Sequence, residues 1–194
     1  MKRPFSQLLL MIALCSSYPA YAELDLTGLY SGIQYADSTD EFKPDTGSSV
    51  TENRGHVKVK VGKQMNDIVA LEGQLGLTTN STSSQGIVTY GAYLRAGKDY
   101  GQYKFYGLLG ASGIYAYEDN VDSVSESSGS YGIGVEIFGS KNMAVTFEYL
   151  TLIDKSIDGG DLTFDTLGIG FTYYFTEDKS YFNKNRNKID SIRY

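Results

Sequence analysis

Residues 167–175 read Leu-Gly-Ile-Gly-Phe-Thr-Tyr-Tyr-Phe, and the spacing of their side chains decides the fold class of the chain. Apolar side chains occupy every second position from Leu167 to Phe175, and glycine, threonine or tyrosine fills the positions between them. Successive side chains of a β-strand point to opposite faces, whereas a helix would repeat its apolar face every three or four residues. The stretch therefore predicts a strand with one apolar face and one small or polar face.

The same alternation recurs about eight times along the chain. It is clearest at 56–61, His-Val-Lys-Val-Lys-Val, where the valines share one face and the histidine and lysines share the other. The remaining stretches lie at 69–77, 88–96, 131–137 and 143–149, with two less regular ones at about 25–36 and 102–117. Alternating segments separated by turn residues predict an all-β fold, an eight-stranded antiparallel up-and-down β-barrel.

The connections between these stretches are of two kinds. Those after the first, third, fifth and seventh are mostly longer and rich in Ser, Asp, Gly and Thr, at about 37–51, 79–85, 119–128 and 155–161. Those after the second, fourth and sixth are tight, at 64–67, 98–101 and 139–142. Short turns at one end and longer loops at the other are typical of outer-membrane barrels, whose short turns lie in the periplasm. An even strand count then places both termini in the periplasm.

Alternation by itself leaves open which face of the barrel points outward. A soluble lipocalin-like barrel would turn its apolar face inward. Three features favour the transmembrane form: the alternating loop lengths, aromatic residues near strand ends, and glycine on the polar face, which suits a narrow lumen. These glycines are Gly28, Gly32, Gly132, Gly134, Gly168 and Gly170.

Both ends of the chain differ in composition from the barrel. Lys2, Arg3, an apolar stretch and the cleavage site formed by Ala20 and Ala22 predict a signal peptide at 1–22. A lipoprotein anchor at Cys15 is the alternative, but the large residue before that cysteine disfavours it. The barrel domain is predicted at 23–176 and a polar periplasmic tail at 177–194. The predicted mature chain has 23 acidic and 15 basic residues, which argues against a nucleic-acid partner.

The closing strand resembles the β-signal of the small outer-membrane barrels of outer-membrane protein A and X type, with Phe171, Tyr173 and Phe175 at the diagnostic positions. The segments 134–136 and 147–149 also resemble the sixth and seventh strands of that barrel, whose acidic side chains point inward. The resemblance covers about residues 24–176. It implies assembly by the barrel-assembly machinery and contact with outer-membrane lipid and lipopolysaccharide. Members of this size usually end at the phenylalanine, so the tail is a departure from the family pattern.

The polar faces carry the charged residues that we expect inside the barrel. This inward set consists of Lys58, Lys60, Glu72, Arg95, Lys104, Glu136 and Glu148. Lysine or arginine on the lipid face would cost roughly 2–4 kcal/mol each at mid-depth. Eight strands leave a lumen just wide enough for side chains to fill, so we expect a salt-bridge network that plugs it. A water-filled pore is the alternative.

Residues with catalytic or metal-binding potential are few. His56 is the single histidine, and no serine stands two residues after it as in lipid A deacylases, so we expect no catalytic residue and no enzyme. The acidic groups at 37–45 and 118–122 lack calcium-loop spacing, so we expect no cofactor and no dedicated metal site. Divalent cations bridging to lipopolysaccharide phosphates remain an alternative.

Function then has to be inferred from the exposed loops. We expect a monomeric, non-enzymatic outer-membrane surface protein with an envelope-structural or adhesion role, in which the loops contact host or surface ligands. Small barrels of the accessory-colonisation-factor kind would be compatible. The alternative is a narrow porin-like channel for ions or small solutes.

Overall fold

A computed structural model describes residues 26–78, 85–118, 124–157 and 159–175. The predicted signal peptide with Ala20 and Ala22, the residue Cys15 and the predicted tail at 177–194 lie outside the described residues. The eight strands are β1 (Leu29–Pro44), β2 (Val50–Gln64), β3 (Val69–Thr78), β4 (Gln85–Tyr100), β5 (Tyr103–Glu118), β6 (Val124–Phe138), β7 (Met143–Ile157) and β8 (Gly160–Phe175).

The strands close into a barrel in chain order. Each strand pairs antiparallel with its neighbours in sequence, and β8 returns to pair with β1 from Leu29 opposite Phe175 to Pro44 opposite Gly160. The predicted eight-stranded antiparallel barrel is therefore confirmed. Because the barrel is closed, no strand edge is left open around its wall, and the backbone N–H and C=O groups of each strand pair with those of its neighbours.

The two ends of the barrel differ in their connections. Turns at 65–68, 101–102 and 139–142 join β2 to β3, β4 to β5 and β6 to β7, and β1 begins and β8 ends beside them. We call this the turn end. The opposite end, where β1 and β2 meet at 45–49, is the hairpin end.

Several strands are longer than the alternation predicted. β1 continues to Pro44 and β2 starts at Val50, so most of the loop predicted at 37–51 is a paired ladder in which Asp40 stands opposite Glu52. The loops predicted at 119–128 and 155–161 are shortened in the same way. Beyond the apolar belt, polar side chains suit both faces of a strand, so the backbone pairing continues where the alternation has stopped.

The outer wall is a belt of apolar side chains. Its members include Ile33, Tyr35, Val59, Val61, Leu71, Leu75, Leu94, Phe105, Leu109, Ile133, Phe147, Leu167, Ile169 and Phe171, each more than a third exposed. None of the described residues forms a helix long and apolar enough to cross a membrane. On β1 and β8 the belt ends towards the hairpin end, where Asp37, Thr39 and Asp165 take the outward positions. The strand segments between this level and the hairpin end, together with the loop at 45–49, are called the outer extensions below.

Candidate functional site: the barrel interior and the outer extensions

All seven charged residues assigned to the lumen from the sequence lie inside the barrel. None of Lys58, Lys60, Glu72, Arg95, Lys104, Glu136 and Glu148 is more than 3% exposed. They come from six different strands, and the strand pattern points each of them inward because side chains alternate between the two faces.

Arg95 on β4 joins two carboxylates on different strands. Its Nη2 lies 2.7 Å from Oε2 of Glu136 on β6, and its Nη1 lies 3.4 Å from Oε2 of Glu72 on β3. The guanidinium carbon is 3.7 Å from the ring centroid of Tyr106, a cation–π contact. Tyr174 donates a hydrogen bond of 2.6 Å to Glu136. Arg95 thus compensates two buried negative charges at once.

Glu148 on β7 is the second centre of the network. Its Oε1 accepts hydrogen bonds from Lys58 Nζ at 3.2 Å and from Gln74 Nε2 at 3.1 Å. Its Oε2 accepts the Tyr106 hydroxyl at 2.9 Å and lies 3.7 Å from Lys60 Nζ. Gln74 also donates to Glu72, which connects the two centres. A connected network of this kind leaves few buried charges without a partner.

Inward glycines make room for the aromatic rings that cover the network. A Cβ atom on Gly62 would overlap the ring of Tyr30, and one on Gly134 would overlap the ring of Tyr106. The Tyr30 hydroxyl donates to Glu72 at 2.7 Å. The glycines noted in the sequence on the polar face therefore include positions at which the lumen has no space for a side chain.

Below the charges, at the turn end, aromatic side chains fill the lumen. The rings of Tyr30 and Tyr174 lie 5.2 Å apart, and Phe138 lies 5.7 Å from Tyr174. Lys104 extends towards this layer, with Nζ 3.3 Å from Gln64 Oε1 and 4.0 Å from Asp99 Oδ1. This end of the lumen is packed rather than open.

Above the charges, towards the hairpin end, the lumen is apolar, a layer that was not predicted from the sequence. Phe164, Leu150, Leu152 and Ile153 are all buried. They cluster with Ile87, Leu108 and Ile114. A register shift between Thr151 and Ile153 explains why consecutive residues of β7 turn inward. The adjacent hydrophobic residues Leu152 and Ile153, which break the alternation of β7, are the sequence signal that could have revealed this layer.

His56 lies at the edge of this apolar layer. Its Nε2 is 2.9 Å from Ser38 Oγ, and its ring contacts Phe164 edge-on at 5.6 Å. Both His56 and Ser38 are fully buried, and His56 Nδ1 has no hydrogen-bond partner among the described residues. A histidine and a serine at this distance could form a nucleophilic pair, but in this structure neither side chain is exposed to solvent.

The outer extensions are predominantly acidic. Acidic side chains there include Asp37, Glu41, Asp45, Glu52, Glu126, Asp154 and Asp161, whereas the basic ones are Lys43, Arg54 and Lys155. Arg54 pairs with Glu52 and with Asp40. Partial burial beside Glu52 raises the pKa of Asp40 to about 6, and the Arg54 charge opposes this rise. Within the described ranges, no three His, Cys, Asp or Glu side chains are grouped so that they could hold a metal ion.

The three aromatic residues assigned to the β-signal lie at the turn end of β8. Phe171 and Tyr173 point outward into the belt, and Phe175 pairs with Leu29 where β8 closes against β1. Their part in assembly stays a prediction.

Comparisons with known proteins agree on the architecture. Residues 7–175 match the family model described as outer membrane protein beta-barrel domain, and no curated protein matches the chain. The chain is similar to Neisserial surface protein A, with 16% identity, a TM-score of 0.58 and coverage of 77% of this chain and 98% of that one. It is similar to Ail, the attachment invasion locus protein of Yersinia pestis (19%, TM-score 0.50, coverage 76% and 99%). It is also similar to OprG of Pseudomonas aeruginosa (11%, TM-score 0.54, coverage 78% and 97%).

Proposed function

The chain belongs to the outer membrane protein beta-barrel domain family and is an outer-membrane protein; from this premise we propose that it is a non-conducting surface protein that acts in attachment through its outer extensions. In this proposal a signal peptide at 1–22 is removed, and the turn end and both termini, with the tail at 177–194, lie in the periplasm. The outer extensions then face the cell's surroundings.

The observation that carries the proposal is the filled lumen. Aromatic rings at the turn end, the charged network in the middle and the apolar layer near Phe164 follow one another along the barrel axis. An ion would have to displace all three layers to pass. The same packing supports a non-enzymatic role, because the His56–Ser38 pair is buried within it.

Attachment is proposed because the exposed part of the molecule is built from the outer extensions. The β1–β2 hairpin reaches from the belt to 45–49, and its strands hold one another by pairing from Phe42 opposite Val50 downward. A paired hairpin is a stiff support for a binding surface, since less conformational freedom is lost on binding. One neighbour in fold, Ail, is named the attachment invasion locus protein. The acidic surface favours a basic partner on the host or a neighbouring cell.

Planar-bilayer recording of the refolded chain tests the closed lumen. We expect no single-channel steps from the protein, at an amount for which heat-modifiable gel migration shows folded barrel. Stable, reproducible steps would refute the non-conducting part of the proposal and favour a narrow channel instead.

Shortening the β1–β2 hairpin tests the attachment part of the proposal. Replacing 40–52 by a two-residue turn removes the tip of the β1–β2 hairpin while keeping the register below it. Cells that carry the variant should adhere less to host cells than cells with the intact protein at equal surface amount. The matched control is Asp154→Asn with Lys155→Gln, which alters a different extension without shortening it. Unchanged adhesion of the shortened variant would contradict the proposal.

A further inference from the structure

The outer wall of the barrel has two concave regions. A furrow of about 550 Å³ crosses β2 to β6, with Gly73, Ala92 and Ala111 along its floor and Leu75 beside them. We call this the first furrow. A second furrow of about 690 Å³ has Ala96 and Gly107 in its floor on β4 and β5, nearer the turn end, and continues across β6 and β7 to Leu167 on β8.

Strand register explains both furrows. Gly73 stands opposite Ala92, which stands opposite Ala111, so three small outward residues lie side by side across three strands. In the second furrow Ala96 stands opposite Gly107. The row between them consists of Leu71, Leu94 and Leu109. Leu94 stands opposite both other leucines, and all three are about half exposed or more. The wall therefore has two grooves separated by a leucine ridge.

The barrel itself does not require glycine in these furrows. A Cβ on Gly73 or Gly107 would meet no atom closer than 3.8 Å, and neither residue has a positive φ. On Gly132 or Gly170, by contrast, a Cβ would overlap neighbouring backbone. Glycine weakens a strand interior and is often found where a ligand or another chain approaches closely. The two outward glycines therefore indicate an occupant outside the barrel.

Exposed lysines lie at the turn-end side of the furrows and indicate the charge of that occupant. Lys63 points outward beside Leu71 and Gly73 in a further depression of about 510 Å³. Lys98 follows Ala96 on the same outward face of β4, with Nζ 5.6 Å from the Tyr100 ring centroid. A lysine at the edge of an apolar surface extends its ammonium group towards the headgroup region. An occupant with apolar chains and an anionic headgroup fits this arrangement.

We propose that the two furrows bind the acyl chains of one anionic glycerophospholipid, with the chains on either side of the Leu94–Leu109 ridge and the phosphate at the lysine-bearing ends. The leaflet assignment rests on the proposed orientation, since a periplasmic turn end places the headgroup in the phospholipid leaflet. The binding itself does not depend on the attachment role, so its test is separate from the adhesion assay.

The chain contains no tryptophan, so a single introduced tryptophan reports on the adjacent lipid. Leu94→Trp places it on the ridge, and Tyr35→Trp on β1 is the control probe, because neither Tyr35 nor its paired neighbours Val57 and Ile169 line a furrow. Each variant is reconstituted in phosphatidylcholine vesicles that contain a minor fraction of brominated phosphatidylglycerol. Quenching at position 94 should show several-fold preference for the anionic lipid over brominated phosphatidylcholine, since one surface lysine contributes roughly fivefold. The control probe should show a preference near unity.

Two variants in the Leu94→Trp background separate the parts of the site. Gly73→Leu with Gly107→Leu fills the furrows, and Lys63→Gln with Lys98→Gln removes the charge; each should abolish the preference. Gly139→Leu adds the same bulk at an exposed glycine of the β6–β7 turn, which lines neither furrow and has nothing within 4 Å of an added Cβ, and should leave the preference intact. Gel migration checks folding of every variant. Any of three results would overturn the proposal. These are equal quenching at both probes, a preference that survives both double substitutions, and cross-linking through position 94 to a second copy.

Discussion

Replacing Arg95 by methionine is the most direct test of the charged network. The substitution keeps a long side chain but removes the cation that joins Glu72 and Glu136. Both carboxylates then stay in the lumen without their shared partner. Leaving a buried charge uncompensated in this way destabilises a protein by about 3–5 kcal/mol.

The contacts of the two carboxylates refine this magnitude. Glu136 keeps the hydrogen bond from Tyr174, and Glu72 keeps the one from Tyr30, so the loss should lie towards about 3 kcal/mol of unfolding free energy. Adding Glu136→Gln to Arg95→Met removes one of the two uncompensated buried charges. The double variant should therefore lose about 1–3 kcal/mol less unfolding free energy than the two single variants lose together.

Reversible urea unfolding in lipid vesicles, followed by gel migration and tyrosine fluorescence, measures these free energies. Lys43→Met is the matched control, because Lys43 pairs with Glu41 on the exposed outer extension, where an ion pair contributes about 0–1 kcal/mol. If Arg95→Met costs no more than this control, or if the double variant shows no coupling, the network does not hold the lumen together as described.

Three further predictions concern packing and pH. A Cβ on Gly110 would overlap the Ala92 carbonyl, so Gly110→Ala should lower the unfolding free energy by more than about 1 kcal/mol, whereas Gly129→Ala, with nothing within 4 Å, should not lower it. Phe164→Ala should cost about 3–5 kcal/mol in the same urea assay, since the ring is 1% exposed; a cost below that of Gly110→Ala would contradict the apolar layer. The pKa of Asp40 is raised to about 6 in the folded protein, so the folded state binds this proton more tightly than the unfolded chain does. The stability that the protonated carboxyl group contributes is therefore lost as pH rises through 6. Asp40→Asn should accordingly gain stability over wild type above pH 6 and lose that gain near pH 4, and a pH-independent difference between the two proteins would refute this assignment.

The sequence by itself determined the features that depend on side-chain period. The two-residue alternation identified the eight strands and the outward face of the belt. It also assigned Lys58, Arg95 and Glu148 to the interior, because a side chain's face follows from its position in the strand.

What only the tertiary structure decided is which residues meet. Arg95 contacts Glu136 and Glu72 across the lumen because barrel closure and register bring β3, β4 and β6 together there. The shift between Thr151 and Ile153 turns neighbouring residues of β7 inward, which a strict alternation cannot represent. In the sequence, the furrow glycines Gly73 and Gly107 cannot be told apart from the glycines that the lumen requires. The two groups differ only in the atoms that surround them in the folded barrel. Period fixes the face of a residue, whereas its neighbours depend on the pairing of strands that are distant in the chain.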